Sequence, residues 1–350
     1  MENRYQRQIM LPEIGEKGQK ELSKAHVLVI GVGGLGCPAL LYLAAAGIGH
    51  LTLVDADTIS ETNLNRQVLY GKKDVGKLKV DQARQRIEEQ NHSIKVDVLA
   101  REINLENAEN LVRKASVILD CTDNVATRYL LSDVCELHKK PLVYAGIHRF
   151  QGQLTVFHKQ QKISYRDLFP YDPNKIPPNS CDENGVLGIV PGIMGTLQAN
   201  EAIKLIAGFG DVLDGKMMIM NLLNLQSQLF TINREENRVR ASSLEDCPEY
   251  GHLCRLNSDA HISVDEFLAM NLSNTALVDI RDESELPKSI MELTSKVEIG
   301  DKDIVLMCKT GKRSADTLHA WKSNYRGQRV YTLDGGVIAL NEHLTKKNLV

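Results

Sequence analysis

The sequence predicts an α/β protein: a doubly wound, mainly parallel sheet followed by a second, smaller α/β domain. Three observations carry this. Val27-Leu28-Val29-Ile30 run into Gly31, Gly33 and Gly36, and the alanine-rich stretch CPALLYLAAAG that follows reads as a buried helix. A second β-forming run, Leu51 to Val54, ends in Asp55 about twenty residues beyond the glycines. From about Ser258 the composition restarts with its own alternation of short strands and helices. Strand, glycine turn and helix make the first part Rossmann-like.

At 350 residues the chain has room for two domains, and 43% hydrophobic with 25% charged residues is the balance of a soluble globular protein. A formal net charge of −3 gives no basic footprint for nucleic acid. The apolar runs are too short or too interrupted to span a bilayer, and MENRYQRQIM lacks the apolar centre of a signal peptide, so a cytoplasmic location and no membrane partner are expected. The seven cysteines are scattered, odd in number and form no C-x-x-C pair, which fits reduced thiols.

The spacing G-x-G-x-x-G lets a phosphate approach main-chain N–H groups at a helix N-terminus, and Asp55 is placed to accept hydrogen bonds from ribose hydroxyls. An NAD-dependent oxidoreductase would carry the same pair. What separates the readings is Asn63, Asn65, Arg66 and Gln67, crowded beside the phosphate site. A dehydrogenase has no use for them, because its pyrophosphate already sits on the helix and its chemistry is at the nicotinamide. A nucleotidyl transferase must meet charge developing on a triphosphate with pre-placed cations, amides and metal.

The remaining elements continue the pattern. Residues 1–25 read as a solvated helical arm, with Arg4, Tyr5 and Arg7 ahead of Ile9, Met10 and Leu11. Lys77 and Lys79 open a helix over about 76–90, from which a lysine can point back to the nucleotide. Ile94 to Leu99 and Val117 to Leu119 are short buried strands around a helical segment. The second of them meets Asp120-Cys121-Thr122-Asp123-Asn124, a loop that in an open α/β sheet faces the turn after Gly31. Asp123, a hard oxygen donor, is a candidate magnesium ligand. The plainer alternative is that Asp123 or Asn124 caps the helix beginning near Val125. Residues 151–190, with their Pro, Asn and Asp content, read as a long crossover loop.

RYxRQ near the N-terminus, GVGGLG, VDADTIS, NLNRQ, GKLKV, DCTDN, GQLTVF and NEAIKLIAG, in this order over roughly residues 1–245, together resemble the MoeB/ThiF family, prokaryotic relatives of ubiquitin-activating enzymes. The resemblance implies an adenylation domain over 1–250 in a homodimer that uses ATP and Mg²⁺. Its substrate would be the C-terminal glycine carboxylate of a ubiquitin-like sulfur-carrier protein ending in Gly-Gly. The expected carrier is the small subunit of molybdopterin synthase, with a thiamine-pathway or tRNA-thiolation carrier as the near alternative. Carried over by position, Gly31, Gly33, Gly34 and Gly36 lie against the nucleotide and Asp55 takes the ribose. Asn63, Asn65, Arg66, Gln67 and Lys79 contact base or phosphates. Asp123 holds magnesium with Asn124 beside it, and Arg7 reaches across the dimer. No general base is needed, since a C-terminal carboxyl with a pKa of about 3.5 arrives ionised.

The chain departs from that family at its zinc site, where a C-Y-R-C-like pair and a C-P-x-C pair supply four thiolates. Ser164-Tyr165-Arg166-Asp167 and Cys247-Pro248-Glu249-Tyr250 stand there instead, so no zinc is expected. Cys181, in NSCDENGVLG, is expected as an accessory cysteine over the crevice, its thiolate disfavoured by Asp182 and Glu183.

In the second domain, expected over 258–350, a helix at Ser263 to Met270 and strands ALVDIRD, IVLMC and RVYTL precede a DGG turn. The run LVDIRD…CKTGKRSA…LDGGV resembles a single rhodanese domain, which implies that Cys308 carries sulfur as a persulfide received from a donor such as a cysteine desulfurase. Loop amides, Lys309, Lys312, Arg313 and the helix N-terminus near Ser314 would stabilise the anion. The plainer reading is a buried strand-end cysteine beside a solvated basic loop. The segment between Arg281 and Cys308 is short for a rhodanese and no tryptophan follows GGV, so a trimmed domain is expected. Two other classes remain open at this point: an NAD-dependent oxidoreductase and a non-catalytic carrier-binding scaffold.

Overall fold

The computed structural model describes residues 3–157, 163–170, 185–235, 243–244, 261–281, 299–309, 311, 313–314, 317–318, 321, 324–325 and 327–346. The chain forms two compact units, Met1–Cys247 and Pro248–Val350.

The first unit opens with helices α1 (Gln6–Ile9) and α2 (Gly15–Lys24), then β1 (His26–Ile30), α3 (Gly36–Ala46) and β2 (His50–Val54). There follow α4 (Lys79–Gln90), β3 (Lys95–Leu99), α5 (Ala108–Lys114), β4 (Val117–Asp120), α6 (Val125–Leu137) and β5 (Leu142–His148). The chain then runs through β6 (Gln151–Phe157), α7 (Tyr165–Leu168), α8 (Ile189–Ala207), β7 (Lys216–Asn221) and β8 (Gln226–Thr231). The sheet order is β3-β2-β1-β4-β5-β6-β7-β8, with β1 to β5 mutually parallel and the last three strands antiparallel. Val27 to Ile30 and Val117 to Asp120 are buried at every position, as strands covered on both faces must be. Helix α3 is apolar nearly all round because it packs between the sheet and α8, and it stops at Gly47, which takes the left-handed C-cap. The strand order reverses between β1 and β4, which opens a crevice beyond their carboxyl ends.

Three expectations are corrected. The N-terminal arm is not simply solvated: Leu22 and Gln19 are buried, and Gln8 and Gln19 donate through Nε2 to the Ala46 carbonyl at 3.2 and 3.0 Å. The helix after the nucleotide site begins at Lys79 rather than near 76, because Gly76 is left-handed and Lys77 is drawn back to Asp74 at 3.4 Å. Residues 151–190 are not one loop. Gln151–Phe157 pairs with β5 in the register Ala145↔Leu154 and Val143↔Val156, which buries Leu154 and Val156, and α8 already starts at Ile189. The Pro- and Asn-rich composition that suggested a loop falls mainly in 171–184, outside the described residues.

In the second unit β9 (His261–Ile262), α9 (Val264–Ala269), β10 (Thr275–Asp279), β11 (Asp303–Met307), β12 (Val330–Leu333) and α10 (Gly336–Lys346) surround a parallel sheet of order β10-β11-β12-β9. Ser263 starts α9 by a capping box, its Oγ accepting from Glu266 N at 3.2 Å while the Glu266 carboxylate accepts from Ser263 N at 2.8 Å. Alternation along β11 divides the interior: Val305 and Met307 join Val264, Phe267, Leu333 and Val337, whereas Ile304 and Leu306 join Leu318 and Val330.

Candidate active site

The turn after β1 and the loop after β4 are in direct contact. Gly31 has φ +89°, and a Cβ there would lie 2.6 Å from the Cys121 carbonyl, while one on Gly36 would lie 2.1 Å from the Gly31 carbonyl. Side chains at either position would push the α3 N-terminus away from the strand ends, so these glycines let its first-turn N–H groups face the crevice. Gly33 lies beside Gln67, and Gly34 against Pro191 of α8. Gln198, buried on α8, ties the neighbouring strand ends by donating to the carbonyls of Asp120 at 2.7 Å and Val143 at 3.1 Å.

Asp55 directly follows β2, with one carboxylate oxygen accepting from Val32 N (2.7 Å) and the other from Asp57 N (2.8 Å). Burial holds its carboxyl above the usual range, and the Lys79 ammonium and the two backbone donors pull the other way. Lys79 is buried at the start of α4 and pairs with Asp57 at 2.6 Å. Arg66 donates to the Thr62 carbonyl (2.9 Å) and Asn65 Oδ1 (3.1 Å). The Oδ1 of Asn63 is occupied in accepting from Ser60 N (3.0 Å), closing a local capping box. Gln67 is buried, and its Oε1 has no hydrogen-bond partner among the described residues. A buried acceptor left unpaired costs about 1–3 kcal/mol, so this atom beside the glycine turn is one that a ligand or a water can satisfy.

Across the crevice, the alternatives at DCTDN divide between the two residues. Asn124 caps α6, its Oδ1 accepting from Ala126 N (2.8 Å) and Thr127 N (3.2 Å). Asp123 is exposed. The loop that presents it is held from below: Asp120 Oδ1 accepts from Thr122 N (3.0 Å) and Oγ1 (2.7 Å), and Arg128 Nη2 donates to the Thr122 carbonyl (2.7 Å). Asp120 is fully buried, and this burial raises its pKa against the nearby Arg128 charge. Asp57, Arg128 and Gln198 escaped the sequence reading, and Asp120 entered it as part of DCTDN without a role of its own. Of the first three only Asp57 had a visible signal, as the second carboxylate of VDAD.

Arg7 is not at this crevice in its own chain. The adjacent Gln8 binds the carbonyl of Ala46, and Tyr5 lies against Gly47, at the C-terminal end of α3. An 11-residue helix separates that end from the glycine turn by about 16 Å. Cys181 lies outside the described residues. Cys37, Cys121 and Cys135 are buried, and burial pushes all three thiols up, Cys37 to about 12.

Where four thiolates were expected to be missing, Ser164 and Asp167 form a capping box of their own, with Ser164 N donating to Asp167 Oδ2 at 2.7 Å. The other Asp167 oxygen accepts from Glu235 N at 3.1 Å, which joins α7 to the chain after β8. Arg166 forks onto the buried Asp133 carboxylate (2.7–2.9 Å), and Tyr165 meets Tyr129, Tyr144 and Phe157 edge-on and Phe169 at a tilt. Tyr250 and Cys247 lie outside the described residues.

In the second unit Cys308 follows β11 and is buried rather than open at a loop mouth. The N-terminus of α10 grips the loop backbone: Val337 N donates to the Cys308 carbonyl (2.9 Å) and Ile338 N to that of Lys309 (3.2 Å). Gly336, at φ +55°, permits this, since a Cβ there would stand 2.1 Å from the Cys308 carbonyl. At the adjacent strand end, Arg281 and Asp279 form a buried forked pair, with Nη2 to Oδ2 at 2.6 Å. Ser314 Oγ lies 3.7 Å from the Cys308 sulfur, Lys309 is exposed, and Lys312 lies outside the described residues.

Residues 5–244 match the ThiF family. The chain belongs to that family. It is 38% identical over 364 residues to the probable adenylyltransferase/sulfurtransferase MoeZ of Mycobacterium tuberculosis, an alignment that covers 96% of this chain and 92% of that protein and so spans both units. It is 35% identical to the adenylyltransferase and sulfurtransferase MOCS3 of Drosophila willistoni, over 96% of this chain and 82% of that one. Among solved structures, E. coli MccB with ATP superposes with a TM-score of 0.61 at 24% identity, over 69% of this chain and 75% of that chain, which is a likeness of fold. Among the described residues, no helix is long and apolar enough to cross a membrane.

Proposed function

We propose that this protein is an enzyme that adenylates the C-terminal glycine carboxylate of a ubiquitin-like sulfur carrier with ATP, and that Cys308 of the same chain supplies the sulfur that turns the acyl-adenylate into a thiocarboxylate. The carrier we favour is the small subunit of molybdopterin synthase. The observation that carries the reading is the contact of the glycine turn with the loop after β4, with Asp55 bonded to that turn, in a ThiF-family chain whose relatives spanning both units are named adenylyltransferase and sulfurtransferase.

The α3 N-terminus receives phosphate, Asp55 takes the ribose, and the unpaired Gln67 oxygen accepts from the nucleotide or its waters. Magnesium, when bound, screens the phosphate charge, and the exposed hard carboxylate of Asp123 fits such an ion, which takes its other ligands from phosphates and water. Lys79, Arg66 and, from the other protomer of a homodimer, Arg7 neutralise the triphosphate so that an anionic carboxylate can reach the α-phosphorus. Pyrophosphate leaves. The terminal sulfur of a Cys308 persulfide, loaded by a donor such as a cysteine desulfurase, then attacks the acyl carbon and expels AMP. A thiol then attacks the Cys308 sulfur of the acyl disulfide, which releases the thiocarboxylate and leaves that thiol joined to Cys308 as a disulfide.

The test is ATP–pyrophosphate exchange by the purified protein with a Gly-Gly-ending carrier. Exchange that falls about 10²- to 10³-fold in Asp123→Ala supports the reading. Nicotinamide reduction without exchange would support an oxidoreductase, and carrier binding without exchange a scaffold.

A further inference from the structure

Thr332 places a hydroxyl in the interior of the second unit, and both it and Ser314 are completely buried. By the two-residue period of β12 it shares the face of Val330, which packs with Ile304, Leu306 and Leu318. An apolar position of this kind tolerates a hydroxyl only when that hydroxyl is bonded. Here it donates to Ser314 Oγ at 2.6 Å.

Ser314 in turn has one proton and two acceptors, the Gly311 carbonyl at 2.9 Å and the Cys308 sulfur at 3.7 Å. While Cys308 is a neutral thiol, the nearer carbonyl holds that proton. A negative charge on the sulfur changes the competition, because a charge-assisted hydrogen bond is about twice as strong as a neutral one. Donation from Thr332 into the Ser314 oxygen makes Ser314 the better donor still.

We infer that Thr332 is a positioning residue for Cys308, supplying through Ser314 a buried O–H to an anion on that sulfur. The inference rests on Cys308 as the sulfur-carrying residue, but it is read on the thiol alone, without carrier, ATP or persulfide donor. It therefore fails or stands separately from the proposed sulfur transfer. If Thr332 were only a β-branched filler, valine, which has its shape, would leave Cys308 unchanged.

The experiment is alkylation of the full-length protein by iodoacetamide across a pH series, with the rate at Cys308 read by peptide mass spectrometry. The midpoint of the rate profile reports the thiol independently of access. Thr332→Val is expected to move that midpoint upward and to slow alkylation below it by about three- to tenfold. Thr332→Ser should keep the wild-type midpoint. Ser314→Ala should shift it as Thr332→Val does, and the double variant should be no worse than Ser314→Ala. A wild-type midpoint in Thr332→Val, an equal shift in Thr332→Ser, or additive shifts in the double variant would overturn the inference. Should Thr332→Val fail to fold by circular dichroism, Ser314→Ala decides: a wild-type midpoint there removes the end of the relay, and a raised midpoint with an unchanged Thr332→Ser supports it.

Discussion

His26 and His50 stack at the amino end of the sheet, ring centroids 3.8 Å apart, far from any chemistry proposed for the molecule. His26 is held between Thr52 Oγ1 (2.8 Å) and the Lys114 carbonyl (3.1 Å), while His50 pairs with Asp97 (2.7 Å), which Lys95 also meets (2.8 Å). Burial, and then the charge of His50, push the His26 imidazole below its ordinary 6.5. A native value below the unfolded one means that the neutral ring favours folding. That contribution is complete above about pH 6.5 and is lost as the pH falls through the depressed native value. The thermal midpoint should thus drop between pH 7 and 5.5, with a shallower slope in His26→Gln, and equal slopes in the two proteins would refute the assignment. At this same scale the sequence was legible where residue type decides the chemistry. Gly31 touches the loop after β4, Asp55 accepts from Val32 N in the glycine turn, and Lys79 is buried at the start of α4. It was not legible where neighbours decide, since nothing in DCTDN says that Asn124 spends its oxygen on a cap while Asp123 stays exposed.

Among the elements, α7 shows how the fold is held where relatives of the MoeB type were expected to use zinc. Arg166 and Asp133 form a buried forked pair, with the guanidinium 5.0 Å above the Tyr129 ring. Removing one partner of such a pair strands a buried charge and costs about 3–5 kcal/mol, whereas replacing both with apolar groups is often neutral. Arg166→Met should therefore lower unfolding stability by about 3 kcal/mol or more in a denaturant titration, and Arg166→Met with Asp133→Leu should recover most of it. Metal analysis of the purified protein should find no stoichiometric zinc. Strands β1 and β4 and helix α3 were readable because each is a nearly continuous apolar run, ended by Gly31, by Asp120 and by Gly47. Strand β6 was missed because its run, GQLTVF, was read together with the Pro- and Asn-rich stretch that begins about a dozen residues later and dominated the composition of 151–190.

For the whole molecule, Arg7 stands between Tyr5 and Gln8, which meet the C-terminal end of α3, a helix about 16 Å long whose other end is the glycine turn, and the proposed mechanism therefore takes this arginine from the other protomer. Arg7→Ala should lose ATP–pyrophosphate exchange on its own, and mixing it with Asp123→Ala should restore part of the activity, since mixed dimers regain one complete crevice. Absence of any rescue would place Arg7 outside the reaction. Division into two units was visible from the composition break near Ser258, while the pairing of two chemistries was visible only through motif order.

In the proposed function, activation and sulfur supply reside in separate units of one chain. Replacing Cys308 by alanine tests it most directly, with carrier, ATP and a persulfide donor present. ATP–pyrophosphate exchange is expected to continue at the wild-type rate while thiocarboxylate formation, followed by mass spectrometry of the carrier, stops. Thiocarboxylate formed by Cys308→Ala at the normal rate would contradict it, because sulfur would then reach the adenylate without the second unit's cysteine.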